Sequence, residues 1–186
     1  RRHFPLLSQA AATVGSPAIR TMGTIGGNIA RSSPAGDVAT ALLALEAEIH
    51  TLLPEGRRQL CHQEFHLGPR RTGLLPGELI THFTLPLPGT GPRGSSYEKL
   101  GQRKALTIAI VNCGVFLELE PDGEKIRKAA IALGSVGPTP FRAARAESLL
   151  TGRPPSDEVF WAAAEAARES CRPIADIRAG AEYRKD

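Results

Sequence analysis

The sequence is poor in aromatic residues and contains no long apolar run. Aromatic residues make up 5% of its 186 positions, so the basic residues behind the net charge of +4 have few aromatic side chains between them. That pattern does not favour nucleic-acid binding. No apolar stretch approaches the roughly 20 residues that span a bilayer, and we therefore predict a soluble protein without a membrane span.

Cysteine is also scarce. Cys61, Cys113 and Cys171 are isolated and form no CxxC pair, which argues against a disulfide scaffold, a zinc site or iron–sulfur ligation by this chain. The first residues, 1–5, are basic but no apolar segment follows them, so they are not typical of a signal peptide. We expect a cytoplasmic location.

The hydrophobic pattern predicts an α+β fold. Helices are predicted over residues 4–14, 38–45, 142–150 and 157–172, and strands over 46–53, 57–60, 79–85, 109–119 and 126–134. The glycine-rich segment 21–37 is predicted to be strand and loop, with Asp37 capping the helix that follows. The Pro/Gly-rich segment 86–94 predicts a boundary between two domains, 1–90 and 94–186.

One motif has a composition that suggests ligand binding. Residues 24–28 read TIGGN, and adjacent glycines remove side chains where a ligand could approach the backbone. A diphosphate is such a ligand, because backbone N–H groups of glycine-rich loops bind phosphate oxygens. Arg20 and Arg31 flank the motif and could screen phosphates. The glycines alone fit a tight turn equally well, with Asp37 only a helix cap.

The wider sequence decides between these alternatives. The string IRTMGTIGGNIARSSPAGDVATALLAL (19–45) resembles the second FAD-binding stretch of the FAD-binding medium subunits of molybdenum hydroxylases, the xanthine and carbon monoxide dehydrogenase family. YEKLGQRKA (97–105) and AIALGSVGPTP (130–140) resemble parts of the same family's C-terminal domain. The resemblance implies a partial PCMH-type FAD-binding domain at 1–90, which lacks its N-terminal subdomain, and a C-terminal flavoprotein domain at 94–186, an antiparallel sheet with helices.

The resemblance also implies particular cofactor contacts. Residues along the FAD pyrophosphate and ribityl chain would be Thr24, Ile25, Gly26, Gly27 and Asn28. Asp37 would hold a polar part of FAD, Ile80 would approach the flavin ring, and Lys99 would lie near the isoalloxazine and raise its reduction potential. The alternatives are a core position for Ile80 and a solvated side chain for Lys99. No catalytic residue and no metal ligand is predicted in this chain.

The function implied by the resemblance is electron transfer within a complex. Electrons would come from molybdopterin on a large subunit, through [2Fe–2S] clusters on a small subunit, to FAD and then to NAD, oxygen or a quinone. The chain alone is expected to be inactive, because the family's cofactor lies between two subdomains. A non-catalytic module that docks the other subunits is the alternative.

Two other features are weaker candidates. His62 and His66 flank Glu64 in the order HQEFH, which differs from the zinc motif HExxH, so no metal site is predicted. Trp161 and Phe160 are predicted to anchor the last helix in the core, although an exposed indole could serve a subunit interface.

Overall fold

A computed structural model describes residues 3–103 and 106–186. Its helices are α1 (Pro5–Ala12), α2 (Pro17–Met22), α3 (Ile25–Ala30), α4 (Asp37–Ala44), α5 (His62–Phe65), α6 (Ala144–Leu150), α7 (Asp157–Ser170) and α8 (Ala181–Lys185). Its strands are β1 (Glu48–Leu53), β2 (Gly56–Leu60), β3 (His66–Gly68), β4 (Arg71–Thr72), β5 (Leu79–Thr84), β6 (Arg93–Leu100), β7 (Val111–Leu119), β8 (Ile126–Gly134) and β9 (Phe141–Arg142). Residues 1–2 of the N-terminal segment and 104–105 of the 97–105 motif lie outside the described residues.

The strands form three antiparallel sheets. β2-β1-β5 is one sheet, β6-β7-β8-β9 is another, and β3 pairs with β4. Helices and antiparallel strands in this arrangement confirm the predicted α+β class. In the part of the chain that the structure covers, no helix is both long and apolar enough to cross a membrane.

The prediction of a strand within residues 21–37 is wrong, because this segment contains the end of α2, all of α3 and the start of α4, whereas the predicted loop is confirmed for residues 31–36. Side-chain caps overcome the weak helix propensity of its glycines. Ser16 Oγ accepts a hydrogen bond from the backbone N–H of Ile19 at 3.2 Å, and Thr24 Oγ1 accepts one from Gly27 at 3.0 Å. Each cap satisfies an N–H group that the first helical turn leaves free.

Helix α4 is the centre of the molecule, and all eight of its residues are buried. On one side, Ala41 packs in a cluster with Phe116 of the four-stranded sheet. On the other side, Leu42 packs with Ile29 of α3 and Ile49 of β1. The core is therefore continuous across the predicted boundary at 86–94, and the division into domains 1–90 and 94–186 stays a prediction.

Helix α7 covers the opposite face of the four-stranded sheet. It begins after the cap Ser156, and Ala163 and Ala167 are buried in a cluster with Ile131 of β8. The prediction that Trp161 anchors this helix in the core is wrong, because Trp161 is 72% exposed. Small alanine side chains make the contact, which leaves the larger aromatic side chains of the helix at the surface.

Candidate functional site

The TIGGN motif forms the start of α3. Neither glycine has a positive φ angle, so a left-handed turn does not explain them. A Cβ atom added to Gly26 would lie 3.9 Å from Cβ and Cγ2 of Ile80 on β5, an ordinary contact distance. The fold therefore brings together two of the residues predicted to contact FAD. Ile80 covers this side of α3 at contact distance, and Gly27, the next residue, is exposed.

Asn28 lies on the same helix and lines a cavity of about 340 Å³. Asp37, Arg31, Leu106 and Ile108 are also in the cavity wall. The side-chain oxygen of Asn28 is buried and has no hydrogen-bond partner among the described residues. An unsatisfied buried oxygen costs roughly 1–3 kcal/mol, so a ligand or solvent donor in this cavity would stabilise it.

Asp37 is the first residue of α4, and the cap is Gly36, so the prediction of Asp37 as the cap is wrong. Its carboxylate turns towards β6 instead. Oδ1 accepts a hydrogen bond from the Tyr97 hydroxyl at 2.6 Å, and Oδ2 forms an ion pair with Lys99 Nζ at 2.7 Å. The positive end of the α4 dipole also favours a carboxylate at this place.

Asn112 and Thr40 extend this network into the core. The Thr40 hydroxyl donates to Oδ1 of Asn112 at 2.8 Å, and the Asn112 amide donates to Oδ1 of Asp37 at 3.3 Å. Gly134 makes room for this arrangement, since a Cβ there would lie 2.2 Å from Asn112 Oδ1 and 2.5 Å from Thr40 Oγ1. Any side chain at position 134 would displace the network.

Lys99 is buried, so the alternative of a solvated lysine is wrong: 6% of its side chain is exposed. Besides Asp37, its ammonium donates to the Thr13 carbonyl at 3.2 Å. It lines a second cavity, of about 680 Å³, together with Arg20 and Arg103. The two cavities share lining residues in the 106–107 loop. Arg20 and Arg103, together with the Lys99–Asp37 ion pair, give this cavity a positive wall that suits an anionic ligand.

Tyr97 belongs to the network as a hydrogen-bond donor. Burial, with the Asp37 carboxylate as a second cause, raises the pKa of Tyr97 far above its ordinary value, so the hydroxyl keeps its proton. Tyr97, Thr40 and Asn112 were not among the predicted site residues. The sequence does contain one signal for Tyr97, because residues two apart on a strand share a face and Tyr97 and Lys99 have that spacing.

His62 and His66 lie behind this region, with ring centroids 5.5 Å apart. Burial lowers the pKa of His62 to about 3 and that of His66 to about 4. The Ser32 hydroxyl is 2.9 Å from His66 Nδ1, which ties the loop before Asp37 to β3. Neither His62 nitrogen has a hydrogen-bond partner among the described residues, and these residues contain no group of three or more potential metal ligands.

Comparisons with known proteins identify the family that this chain resembles. Residues 1–88 match the model of the FAD binding domain in molybdopterin dehydrogenase, and residues 95–186 match that of the CO dehydrogenase flavoprotein C-terminal domain. The chain is 36% identical to the carbon monoxide dehydrogenase medium chain of Hydrogenophaga pseudoflava over 97% of its own length and 62% of that protein's. It is 32% identical to the nicotinate dehydrogenase FAD-subunit of Eubacterium barkeri, covering 63% of that protein.

A solved structure of carbon monoxide dehydrogenase from H. pseudoflava superposes with a TM-score of 0.91 at 36% identity, over 98% of this chain and 62% of that one. The chain thus spans a little under two thirds of the relatives that it matches. Both of its halves match the same kind of flavoprotein subunit, and the fold agrees. The chain therefore belongs to the family of FAD-binding medium subunits of molybdenum hydroxylases.

Proposed function

We propose that this chain provides one wall of an FAD site and acts in electron transfer within a molybdenum hydroxylase. The observation that carries the proposal is the cavity that Asp37 and Asn28 both line, where the Asn28 side-chain oxygen has no partner among the described residues. Its volume of about 340 Å³ is of the size that binds small cofactors, and it shares the wall residues Leu106 and Thr107 with the cavity of about 680 Å³.

The residues present fit FAD chemically. The backbone at Gly27 is exposed and has no side chain, so a phosphorylated group could come close to α3 there. A ribityl or ribose hydroxyl would satisfy Asn28 Oδ1, and the cations beside the second cavity would neutralise a pyrophosphate. Ile80, which packs directly against α3 at Gly26, would contribute an apolar contact beside the glycines.

Lys99 and Asp37 have roles that depend on each other. Within the described residues, two of the three N–H groups of Lys99 have partners, Asp37 and the Thr13 carbonyl, and the third can donate to a ligand in the cavity. The Asp37 carboxylate offsets part of the lysine charge, so the pair acts on a ligand more as a fixed dipole than as a free cation. FAD, when bound, supplies the capacity to exchange electrons singly or in pairs.

We expect the direction of electron flow that the resemblance implies. Molybdopterin on a large subunit and [2Fe–2S] clusters on a small subunit would deliver electrons to FAD, which would pass them to NAD, oxygen or a quinone. The substrate of the complex is set by the large subunit, and a cytoplasmic location belongs to the same proposal. The relatives named above are a medium chain and an FAD-subunit, which supports a role as one subunit of a larger enzyme.

The visible absorption spectrum tests the proposal. The purified chain is mixed with FAD, desalted and scanned for retained flavin bands. Retained flavin in a fixed ratio to protein supports an FAD site. Complete loss of flavin, both from the chain alone and from the chain mixed with the N-terminal subdomain of a relative and with the large and small subunits, would contradict it and favour the docking module.

A further inference from the structure

Two side chains that are not among the proposed FAD contacts donate hydrogen bonds to the Asp37 carboxylate. The Tyr97 hydroxyl lies 2.6 Å from Oδ1, and the Asn112 amide lies 3.3 Å from the same oxygen. Asn112 is 1% exposed and Tyr97 is 7% exposed, so neither side chain faces bulk water. These donors leave Oδ2 free to face Lys99.

Contacts with Thr40 and Asp37 set the orientation of the Asn112 side-chain amide. The Thr40 hydroxyl donates to Oδ1 of Asn112 at 2.8 Å, with the Gly36 carbonyl as a more distant acceptor at 3.3 Å. The Asp37 carboxylate can only accept, so the NH₂ group of Asn112 points to it. The absence of a side chain at Gly134 permits this contact. Thr40 and Asp37 lie in the first matched segment, while Tyr97, Lys99 and Asn112 lie in the second.

We propose that Tyr97 and Asn112 are positioning residues of the cofactor site: they hold the Asp37 carboxylate in one orientation and so keep the Lys99 ammonium at the cavity wall. This positioning role rests on the proposed function, because its effect would be on the reduction potential of bound FAD. The hydroxyl and amide dipoles also present their positive ends to the carboxylate, which leaves the lysine charge less neutralised. Through these two residues, the second matched segment contributes to a site whose phosphate-binding motif lies in the first.

Tyr97→Phe removes one donor and keeps the ring. In the flavin-loaded protein we expect a lower reduction potential, because two-electron reduction adds negative charge to FAD and its surroundings have become less positive. The expected shift is about tenfold in the equilibrium between reduced and oxidised FAD, which is about 30 mV for a two-electron couple. The matched control is Tyr183→Phe, the same change at a residue that is 57% exposed.

A second readout needs no flavin. A buried, hydrogen-bonded lysine ammonium exchanges its protons slowly and gives an NMR signal, which Lys99→Met assigns. We expect this signal in the wild-type chain and in Tyr183→Phe, and its loss in Tyr97→Phe. Thr40→Val is a second test variant in case Tyr97→Phe folds poorly. Valine has nearly the same shape as threonine but lacks the hydroxyl group, so the Asn112 amide can rotate and the ammonium signal should weaken.

The two readouts separate the two claims. If wild-type protein holds FAD and Tyr97→Phe changes neither the potential nor the ammonium signal, the positioning role is wrong and the FAD site stands. If wild-type protein holds no FAD even when the N-terminal subdomain of a relative is supplied, the proposed function fails, and the ammonium signal decides the positioning role by itself. Loss of the signal in Tyr97→Phe but not in Tyr183→Phe supports it, and an unchanged signal overturns it.

Discussion

Acidification from about pH 7 to about pH 5 is expected to destabilise the fold through His62 and His66, which are 4% and 6% exposed. Burial lowers their pKa values from 6.5 to about 3 and about 4. In this pH window the unfolded chain takes up protons that the folded chain does not. Their contribution to stability is therefore complete above pH 6.5 and is lost as the pH falls towards the folded-state values.

The size of the effect follows from the pKa shifts. One pKa unit is about 1.4 kcal/mol, so each histidine loses about 2 kcal/mol between pH 7 and pH 5, or about 4 kcal/mol for the pair. That is a large part of the roughly 5–15 kcal/mol that holds a typical domain folded. Urea unfolding at each pH and constant salt measures it, with the slope of the transition checked for two-state behaviour.

His62→Leu is the decisive variant, because neither ring nitrogen of His62 has a described hydrogen-bond partner and leucine sacrifices no bond. We expect this variant to be at least as stable as wild type at pH 7 and to remove about half of the acid-induced loss. The exposed His82 provides a control, and His82→Asn should keep the full loss. A wild-type change below about 1 kcal/mol between pH 7 and pH 5, or an unchanged loss in His62→Leu, would refute the reasoning.

Three further outcomes are expected. Lys99→Met leaves the buried Asp37 carboxylate without its cation and should lower the free energy of unfolding in urea by about 3–5 kcal/mol. The double variant Lys99→Met with Asp37→Asn should recover most of this loss. Equal losses in the single and the double variant would argue against a buried ion pair. Gly134→Ala should cost about 1–3 kcal/mol by displacing the Asn112 side chain, and unchanged stability would mean that the Thr40–Asn112 contact is absent. In an alkaline absorbance titration, Tyr97 should ionise only when the chain unfolds, and Tyr97→Phe should remove that step. Ionisation of Tyr97 in the folded chain would contradict the buried hydrogen bond to Asp37.

Much of the fold could be predicted from local patterns. The alternation in β7 and the turn before β8 identify a hairpin, and the Ala/Leu run of α4 identifies a buried helix. The helices α2 and α3 escaped prediction, because their caps, Ser16 and Thr24, stand among glycines that argue against any helix. Capping depends on one hydrogen bond per helix, a signal that composition does not carry.

The sequence predicts several residues of the candidate site separately, but not their contacts with one another. Resemblance supplied Asp37 and Lys99 as separate cofactor contacts, whereas their ion pair at 2.7 Å joins positions 62 residues apart in sequence. Asn112 and Thr40 carry no motif, and their contact depends on how α4 lies on the sheet. Such tertiary contacts cannot be read from sequence spacing.

The central claim, that this chain forms one wall of an FAD site, is tested most directly by FAD titration of Gly26→Ala. Alanine at this helical position meets Ile80 at an ordinary 3.9 Å, and alanine is the better helix former by up to about 1 kcal/mol. A control, Gly94→Ala, adds the same methyl group where nothing lies within 4 Å. We predict that Gly26→Ala melts no lower than wild type yet binds FAD at least tenfold more weakly, while Gly94→Ala binds FAD normally. Unchanged FAD affinity in Gly26→Ala would contradict the account.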